Sequence, residues 1–416
     1  MSVDGRARPG RAAFIFIFIT VVIDMLALGV IVPVLPRLVV EFRGGDTASG
    51  ATWVGVFGTV FAGMQFLFSP VLGSLSDRFG RRRVILLSCA GLGIDYMLMA
   101  VAPSLWWLLV GRTISGITSS TYGTASAYVA DVTPPEKRAM QFGMLGVAFG
   151  IGFIIGPSVG GMLAGVSLRA PFWGAALLSL ANAAYGFFVL PESLPEDRRS
   201  PFRWKSANPA GSLALLRSHP QLFALACAGF LSMLAHDAAP STFVLYTNWR
   251  YGWTDRTVGM VLALVGVTSM IVQGGLVRRI VAAFGEKGAL AFGLLFGALG
   301  NAIFGLAPTG AWFLAGIPIT AFYGVANPAL QSMMTRRVSA DEQGRLQGAV
   351  SSLLMGMTSM LAPILFTQAF AAAIGPYRSL GLPGAPFVIA AVLLVGAAAI
   401  ALRTVAHHAP APAGVE

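Results

Sequence analysis

GSLSDRFGRRRV, residues 73–84, is a short basic turn set between two long apolar runs, residues 51–73 and 84–102. Each run is about the 20 residues that an α-helix needs to cross a hydrocarbon core of roughly 30 Å. Working outward in both directions, the same alternation repeats, with apolar stretches near 13–39, 106–130, 139–165, 171–190, 220–246, 257–278, 288–307, 311–334, 345–374 and 384–403. The chain of 416 residues is 56% hydrophobic and 11% charged, with a mean hydropathy of +0.75. Lipid is the solvent this composition fits, and no stretch is left over for a sizeable water-soluble domain. Continuous apolar runs predict helices, because a closed barrel would need short alternating segments. The reading is an all-α membrane protein with twelve transmembrane helices.

The net charge of +11 is carried mostly on one face. With the N-terminus in the cytoplasm, the tails, the even-to-odd loops and the central linker hold 21 of the 28 Lys and Arg residues. The positive-inside rule then places both termini in the cytoplasm and removes nucleic acid as the partner. Residues 1–23 have the outline of a signal peptide, but no small-residue cleavage site follows, so they read as a retained first helix. Cys89 and Cys227 fall within spans, where a thiol behaves as a small hydrophobe, and neither a disulfide nor a metal centre is indicated. No G-x-x-x-x-G-K-[ST] stretch, H-E-x-x-H or G-x-S-x-G occurs, which argues against an ATP-driven pump and against an enzyme.

Residues 191–219, rich in Pro and charge, divide the chain into six spans and six spans. The expected organisation is an N-terminal half at 1–190, a cytoplasmic linker at 191–219 and a C-terminal half with a short tail at 220–416. Two echoes support a repeat: VTPPEKRAMQ at 132–141 recurs as VSADEQGRLQ at 338–347, and FGRR at 79–82 as FGEK at 284–287. Parallel repeats place a substrate site near the midplane where the halves meet.

Positive-inside bias accounts for the arginines of the first loop but not for Gly73, Asp77 and Gly80 in this register. That register resembles the signature loop of the major facilitator superfamily. The resemblance implies two pseudo-symmetric six-helix halves and a conformational latch built from Gly73, Asp77, Arg78, Gly80, Arg81 and Arg82, with Asp131 as the partner of Asp77. A carboxylate beside a helix N-terminus is favoured by about 0.3–1 kcal/mol, enough to bias two states of similar energy. In the fifth span, GIGFIIGPSVGGML sets Gly152, Gly156 and Gly160 on one helix face beside Pro157 and Gly161. Small residues there allow close helix approach, and Pro157 bends the helix. The G-x-x-x-G-P-x-x-G-G pattern resembles the antiporter motif of the same superfamily, which implies export.

Ionisable residues within lipid are costly and therefore candidates for function. Asp24 and Asp95 lie about eleven residues into their predicted helices, near the midplane at roughly 1.5 Å per residue, and Arg112 lies nearer the outer face. Two acids and one base leave one carboxyl group uncompensated and suited to carry a proton; a fixed ion pair of Arg112 with one acid is the structural alternative. The stretches around these residues, VVIDMLALGVIVPVLPRL (21–38), SDRFGRRRVILLSCAGLGIDYMLMA (76–100), GRTISGITSSTYGTASAYVADVT (111–133) and RYGWTDRTVG (250–259), resemble the tetracycline-resistance efflux branch of the drug:proton antiporters. Asp24, Asp95 and Arg112 match positions that this branch uses for transport. Two positions depart from it, since the branch's acid in the ninth span falls at Gly297 and its histidine in the eighth at Ser269. The expectation is weak or absent tetracycline transport.

His236 and Asp237 in the seventh span are the replacement candidates, with a histidine suited to relay protons and a pair near a wet helix end as the plain alternative. Gln65, Asn327 and Gln331 are candidate cavity residues, although interhelical hydrogen bonds explain such amides as well. The reading is proton-coupled export of a small amphipathic drug-like compound by alternating access. A proton symporter importing a metabolite and a non-transporting sensor or scaffold are the alternatives. The implied partners are a small-molecule substrate, protons and the bilayer, with no cofactor, no metal and no nucleic acid. The implied setting is the bacterial inner membrane, as a multi-pass monomer.

Overall fold

The structure, a computed structural model, describes residues 9–199, 220–338, 346 and 350–406. Most of the expected linker, much of the second repeat loop and the tail with His407 and His408 lie outside the described residues.

Helices α1 (Pro9–Ile31) and α2 (Leu35–Phe42) open the chain, followed by α3 (Thr47–Phe79), α4 (Arg81–Val101), α5 (Leu105–Thr118), α6 (Thr121–Val132), α7 (Pro135–Ala164) and α8 (Ala170–Val189). Beyond the linker come α9 (Pro220–His236), α10 (Ala238–Tyr251), α11 (Asp255–Ile271), α12 (Val277–Leu306), α13 (Gly310–Ala321), α14 (Ala326–Thr335), α15 (Gly356–Ile374) and α16 (Ala385–Ala406). A π-helical turn at Val272–Leu276, containing Gly274 and Gly275, joins α11 to α12, and a 3-10 turn at Phe322–Val325 joins α13 to α14. Among the described residues there is no strand.

Ten helical ranges are long and apolar enough to cross a membrane. One of them, Asp255–Leu306, runs for 52 residues and turns at Gly285, where φ is +67°, so it holds two spans. The pair α5 and α6, each too short alone, supplies another. Counted in this way, the described helices are consistent with the twelve spans that the hydropathy pattern predicts. Gly80, with φ of +99°, makes the equivalent turn between α3 and α4, and only glycine enters this backbone region without strain.

Spans one, four, seven and ten are each built from two helices. The breaks fall at residues 32–34 beside Pro33 and Pro36, at Ser119 and Ser120, at Asp237, and at the 3-10 turn after Pro318. A break exposes backbone donors and acceptors, which lipid cannot satisfy, so such segments persist where protein or a water-lined cavity meets them. Periodicity reads each of these as one continuous span, because the apolar residues run through the breaks.

By contact, the chain groups into two compact units: Met1–Gly45, Val60–Asn208 and Trp253–Gly266 form the first, and Asp46–Thr59, Pro209–Gly252 and Val267–Glu416 the second. In the first, α1 packs on α7 and α8, and α4 on α5 and α8. Its core includes Phe14, Ile17, Val21, Ile85, Tyr128 and Leu145. In the second, α16 packs on α9 and α12, and α10 on α15. There the Thr59 hydroxyl of α3 donates to the Met360 carbonyl at 2.9 Å, while Gly55 and Gly58 leave no room for a Cβ against Thr367 and Pro363. Lipid offers no hydrophobic drive between helices, so such close backbone approach and hydrogen bonding hold the bundle together.

Candidate functional site

The first unit buries two acids, each in its own surroundings. Asp24, on α1, is 5% exposed, and its Oδ1 has no hydrogen-bond partner among the described residues. Asp24 lies near Thr121, the first residue of α6 at the break of the fourth span, whose hydroxyl likewise has no hydrogen-bond partner among the described residues. The Asn182 amide on α8 donates to the Thr20 carbonyl at 2.9 Å and reaches the Cys89 sulfur at 3.6 Å, so it braces α1 and α4 one turn from Asp24. Asp95, on α4, is fully buried and lies nearer the Val101 end of the helix than the Arg81 end. The Ser115 hydroxyl donates to its Oδ2, and Oδ1 has no partner among the described residues. Gly111 leaves the space that Oδ1 fills, since a Cβ there would stand 2.6 Å away.

Arg112 is 7% exposed. It acts electrostatically on Asp95, yet no ion pair joins it to either acid among the described residues; its guanidinium lies over the Phe61 ring, 4.3 Å from the centroid. A cation held by a ring face remains available to a neighbouring carboxylate without being fixed to it. Gln65 donates to the carbonyl and hydroxyl of Ser119 at 3.2 and 3.3 Å, satisfying backbone freed by the break of the fourth span.

At the basic turn, Arg81 joins the elements. It pairs with Asp77 at 2.5 Å and with Asp131 at 3.1 Å, and donates to Ser76 at 2.7 Å. Asp77 lies in the last turn of α3, so the carboxylate at the N-terminus of α4 is that of Glu192, which sequence reasoning missed. Glu192 Oε1 accepts the N–H groups of Arg81 at 2.8 Å, Ser193 at 3.0 Å and Leu194 at 3.2 Å. A Cβ on Gly80 would fall 2.2 Å from Glu192. Ser193 also donates to Asp131 at 3.0 Å. Arg82 donates to the Phe187 carbonyl and lies over that ring, while Arg78 lies over Phe79; Gly73 faces open space. Glu192→Ala should lower thermal stability by about 1 kcal/mol, the typical value of a lost helix cap, with Glu192→Gln losing less; melting in detergent measures both.

The repeat brings a second such turn. Glu286, next to Gly285, accepts from Ser332 at 2.6 Å and pairs with Arg336 at 2.8 Å. Glu286 occupies the position of Arg81 in the repeat with the opposite charge, and its partner Arg336 lies one residue before the position equivalent to Asp131.

The glycine row of α7 packs on α1. Cβ atoms on Gly152, Gly156 and Gly160 would meet Met25 at 2.6 Å, Gly29 Cα at 2.7 Å and the Val30 carbonyl at 2.0 Å. Gly161 meets the backbone of Asp255 and Pro157 that of Gly259 on α11. Asp255, 4% exposed, forms an ion pair with Arg37 of α2.

In the second unit, His236 is exposed at the end of α9, and its ring stacks on Tyr323 with centroids 5.1 Å apart and planes 13° from parallel. Asn327 and Gln331 are exposed on α14. A Cβ on Gly297 would come 3.0 Å from Tyr323 Cδ2, so the tyrosine ring fills the space beside that glycine. Tyr323, Ser115, Thr121 and Glu192 were missed because their partners are distant in sequence. Ser115 alone had a local signal, one turn after Arg112.

Long apolar helices, broken spans and charges held within the bundle are those of a multi-pass membrane protein. A sequence profile described as Major Facilitator Superfamily matches residues 17–363. The chain is 38% identical to the class C tetracycline resistance protein of Escherichia coli over 88% of its length and 92% of that protein, and 36% identical to the class G protein of Vibrio anguillarum over 88% and 93%. The human organic anion transporter MFSD10 has a similar structure, with a TM-score of 0.70 at 25% identity, covering 95% of this chain and all of that one. The nucleoside transporter NupG matches at a TM-score of 0.77 and 13% identity, over 94% and 99%, a likeness of fold. The chain therefore belongs to the major facilitator superfamily, in its tetracycline-resistance branch.

Proposed function

We propose that this protein exports a small amphipathic, drug-like compound in exchange for protons, by alternating access of two six-helix halves, residues 1–190 and 220–416, in a bacterial cytoplasmic membrane with both termini on the cytoplasmic side. The observation that carries this reading is the pair of buried carboxyl groups, Asp24 and Asp95, each with one oxygen lacking a partner among the described residues. A buried charge is tolerated only when paired or neutralised. Arg112 compensates one acid through its field, and a proton neutralises the other. Exchanging that proton for substrate couples the gradient to export. The names of the tetracycline-resistance relatives support a drug as the cargo.

The test is proton flux in proteoliposomes with an internal pH dye and an imposed gradient, against a panel of amphipathic drugs. At least one compound should collapse the gradient while leaving the vesicle against it; if none does, the reading fails, and co-directional movement of compound and proton would make the protein an importer. Tetracycline with magnesium should be a poor substrate, because Tyr323 fills the space beside Gly297. Robust metal-dependent tetracycline efflux would refute that expectation.

A further inference from the structure

His236 closes α9, Asp237 forms the turn that breaks the seventh span, and Tyr323 lies in the 3-10 turn that breaks the tenth. The two breaks meet through one stack of rings. Tyr323 is 8% exposed and cannot move freely. Its hydroxyl donates to the Ser232 carbonyl at 3.0 Å and so accepts from the Ser232 hydroxyl at 2.9 Å. Ser232 and His236 are four residues apart on α9, one above the other on the same face, so a single helix face both fixes the tyrosine and carries the imidazole. One face of the imidazole is covered by Tyr323. The residue is nevertheless exposed, which leaves its opposite face and edge as the accessible surface. Gly297 supplies room beside the tyrosine ring.

Asp237 adds a charge to this platform. It is half-buried, and no ion pair reaches its carboxylate among the described residues. A partly desolvated carboxylate without a cation gains from a ligand that brings one. Rigid rings lose little freedom on binding, so a stack already formed in the free protein favours flat ligands over flexible ones.

We propose that the break of the seventh span is the recognition element for a planar aromatic compound bearing a positive charge, with the ring system stacking on the open face of His236 and the cation paired with Asp237. This inference rests on the export reading and names the chemical class of its substrate. His236 and Asp237 act here on the ligand. An anionic compound would meet the Asp237 carboxylate unfavourably, and a cation without a flat ring system would leave the imidazole face uncovered.

The test is a binding titration on the purified full-length protein in detergent, followed by fluorescence anisotropy, with ethidium as the planar cation, phenanthridine as its neutral counterpart and tetraethylammonium as a cation without rings. Ethidium should bind saturably and tetraethylammonium should not displace it. His236→Ala and Asp237→Asn should each weaken ethidium by about tenfold, ~1.4 kcal/mol; His236→Phe should retain binding, and Asp237→Asn should leave phenanthridine unaffected. If His236→Ala does not yield monodisperse protein, His236→Gln takes its place as a polar side chain without a ring. Absence of saturable ethidium binding, or equal binding by the His236 and Asp237 variants, overturns the inference. A wild-type protein that exchanges another compound for protons but ignores ethidium sinks this inference alone. Intact, variant-sensitive ethidium binding without any proton flux sinks the exchange reading alone.

Discussion

Asp95→Asn should abolish proton-coupled transport while leaving the protein folded. The amide is nearly isosteric with the carboxyl group, so the cavity beside Gly111 stays filled and the Ser115 hydroxyl keeps an oxygen to donate to. What the amide cannot do is gain and lose a proton. Removing a positioned proton-transfer group lowers rates by about a hundredfold or more, and a comparable fall in substrate-driven proton flux is expected. Arg112→Ala should also slow exchange, because it removes the cation whose field acts on Asp95. Flux in proteoliposomes together with a melting curve separates lost coupling from lost fold. Undiminished coupling in Asp95→Asn would remove Asp95 from the mechanism and leave Asp24 as the proton site. Asp24→Asn is then the decisive comparison, because Asp24 does not share the Ser115 hydroxyl that Asp95 accepts.

Gly160→Leu should prevent accumulation of folded protein. A Cβ at 160 would lie 2.0 Å from the Val30 carbonyl oxygen and 2.8 Å from its carbon, both backbone atoms of a neighbouring helix. Such a clash is relieved only by moving α1 away from α7. Overpacking a core costs about 1–3 kcal/mol, occasionally more, and here the same shift opens the contacts at Gly152 and Gly156. Gly160→Ala meets the same atom and should also destabilise, though less. Gly146→Ala, on the same helix with open space at its Cβ position, is the control and should be close to neutral. Size-exclusion profiles and melting in detergent measure the series. A Gly160→Leu protein as stable as wild type would mean that α1 and α7 do not need this approach.

The comparison of Gly160 with Gly146 also marks where sequence reading reached its limit. Both are glycines of one helix at spacings that a helical wheel treats alike, and only the position of α1 tells them apart. The same holds at the acids. Composition and periodicity single out Asp24, Asp95 and Arg112 as costly charges in lipid, and the resemblance assigns them to transport. They cannot reveal that Arg112 rests on Phe61 instead of pairing with an acid, or that Ser115 supplies the hydroxyl that Asp95 accepts. At the basic turn, the spacing of Gly80 and Arg81 was legible, yet the capping carboxylate comes from Glu192, 111 residues further along.

The sequence by itself determined the solvent, the number of spans, the basic face and the family, because these depend on run length, charge placement and short motifs, all local in the chain. Tertiary structure alone decided how those spans become a site. The four broken spans are continuous in hydropathy, since a break changes backbone hydrogen bonding without interrupting the apolar run. The stack of His236 on Tyr323 joins residues 87 positions apart, and the room for that tyrosine comes from Gly297, a residue with no side chain to advertise it. The basic turn shows both sides at once. Its glycine and arginines announce a turn between helices, while the partners, Asp131 for Arg81 and Arg336 for Glu286 at the second turn, are supplied only by the fold.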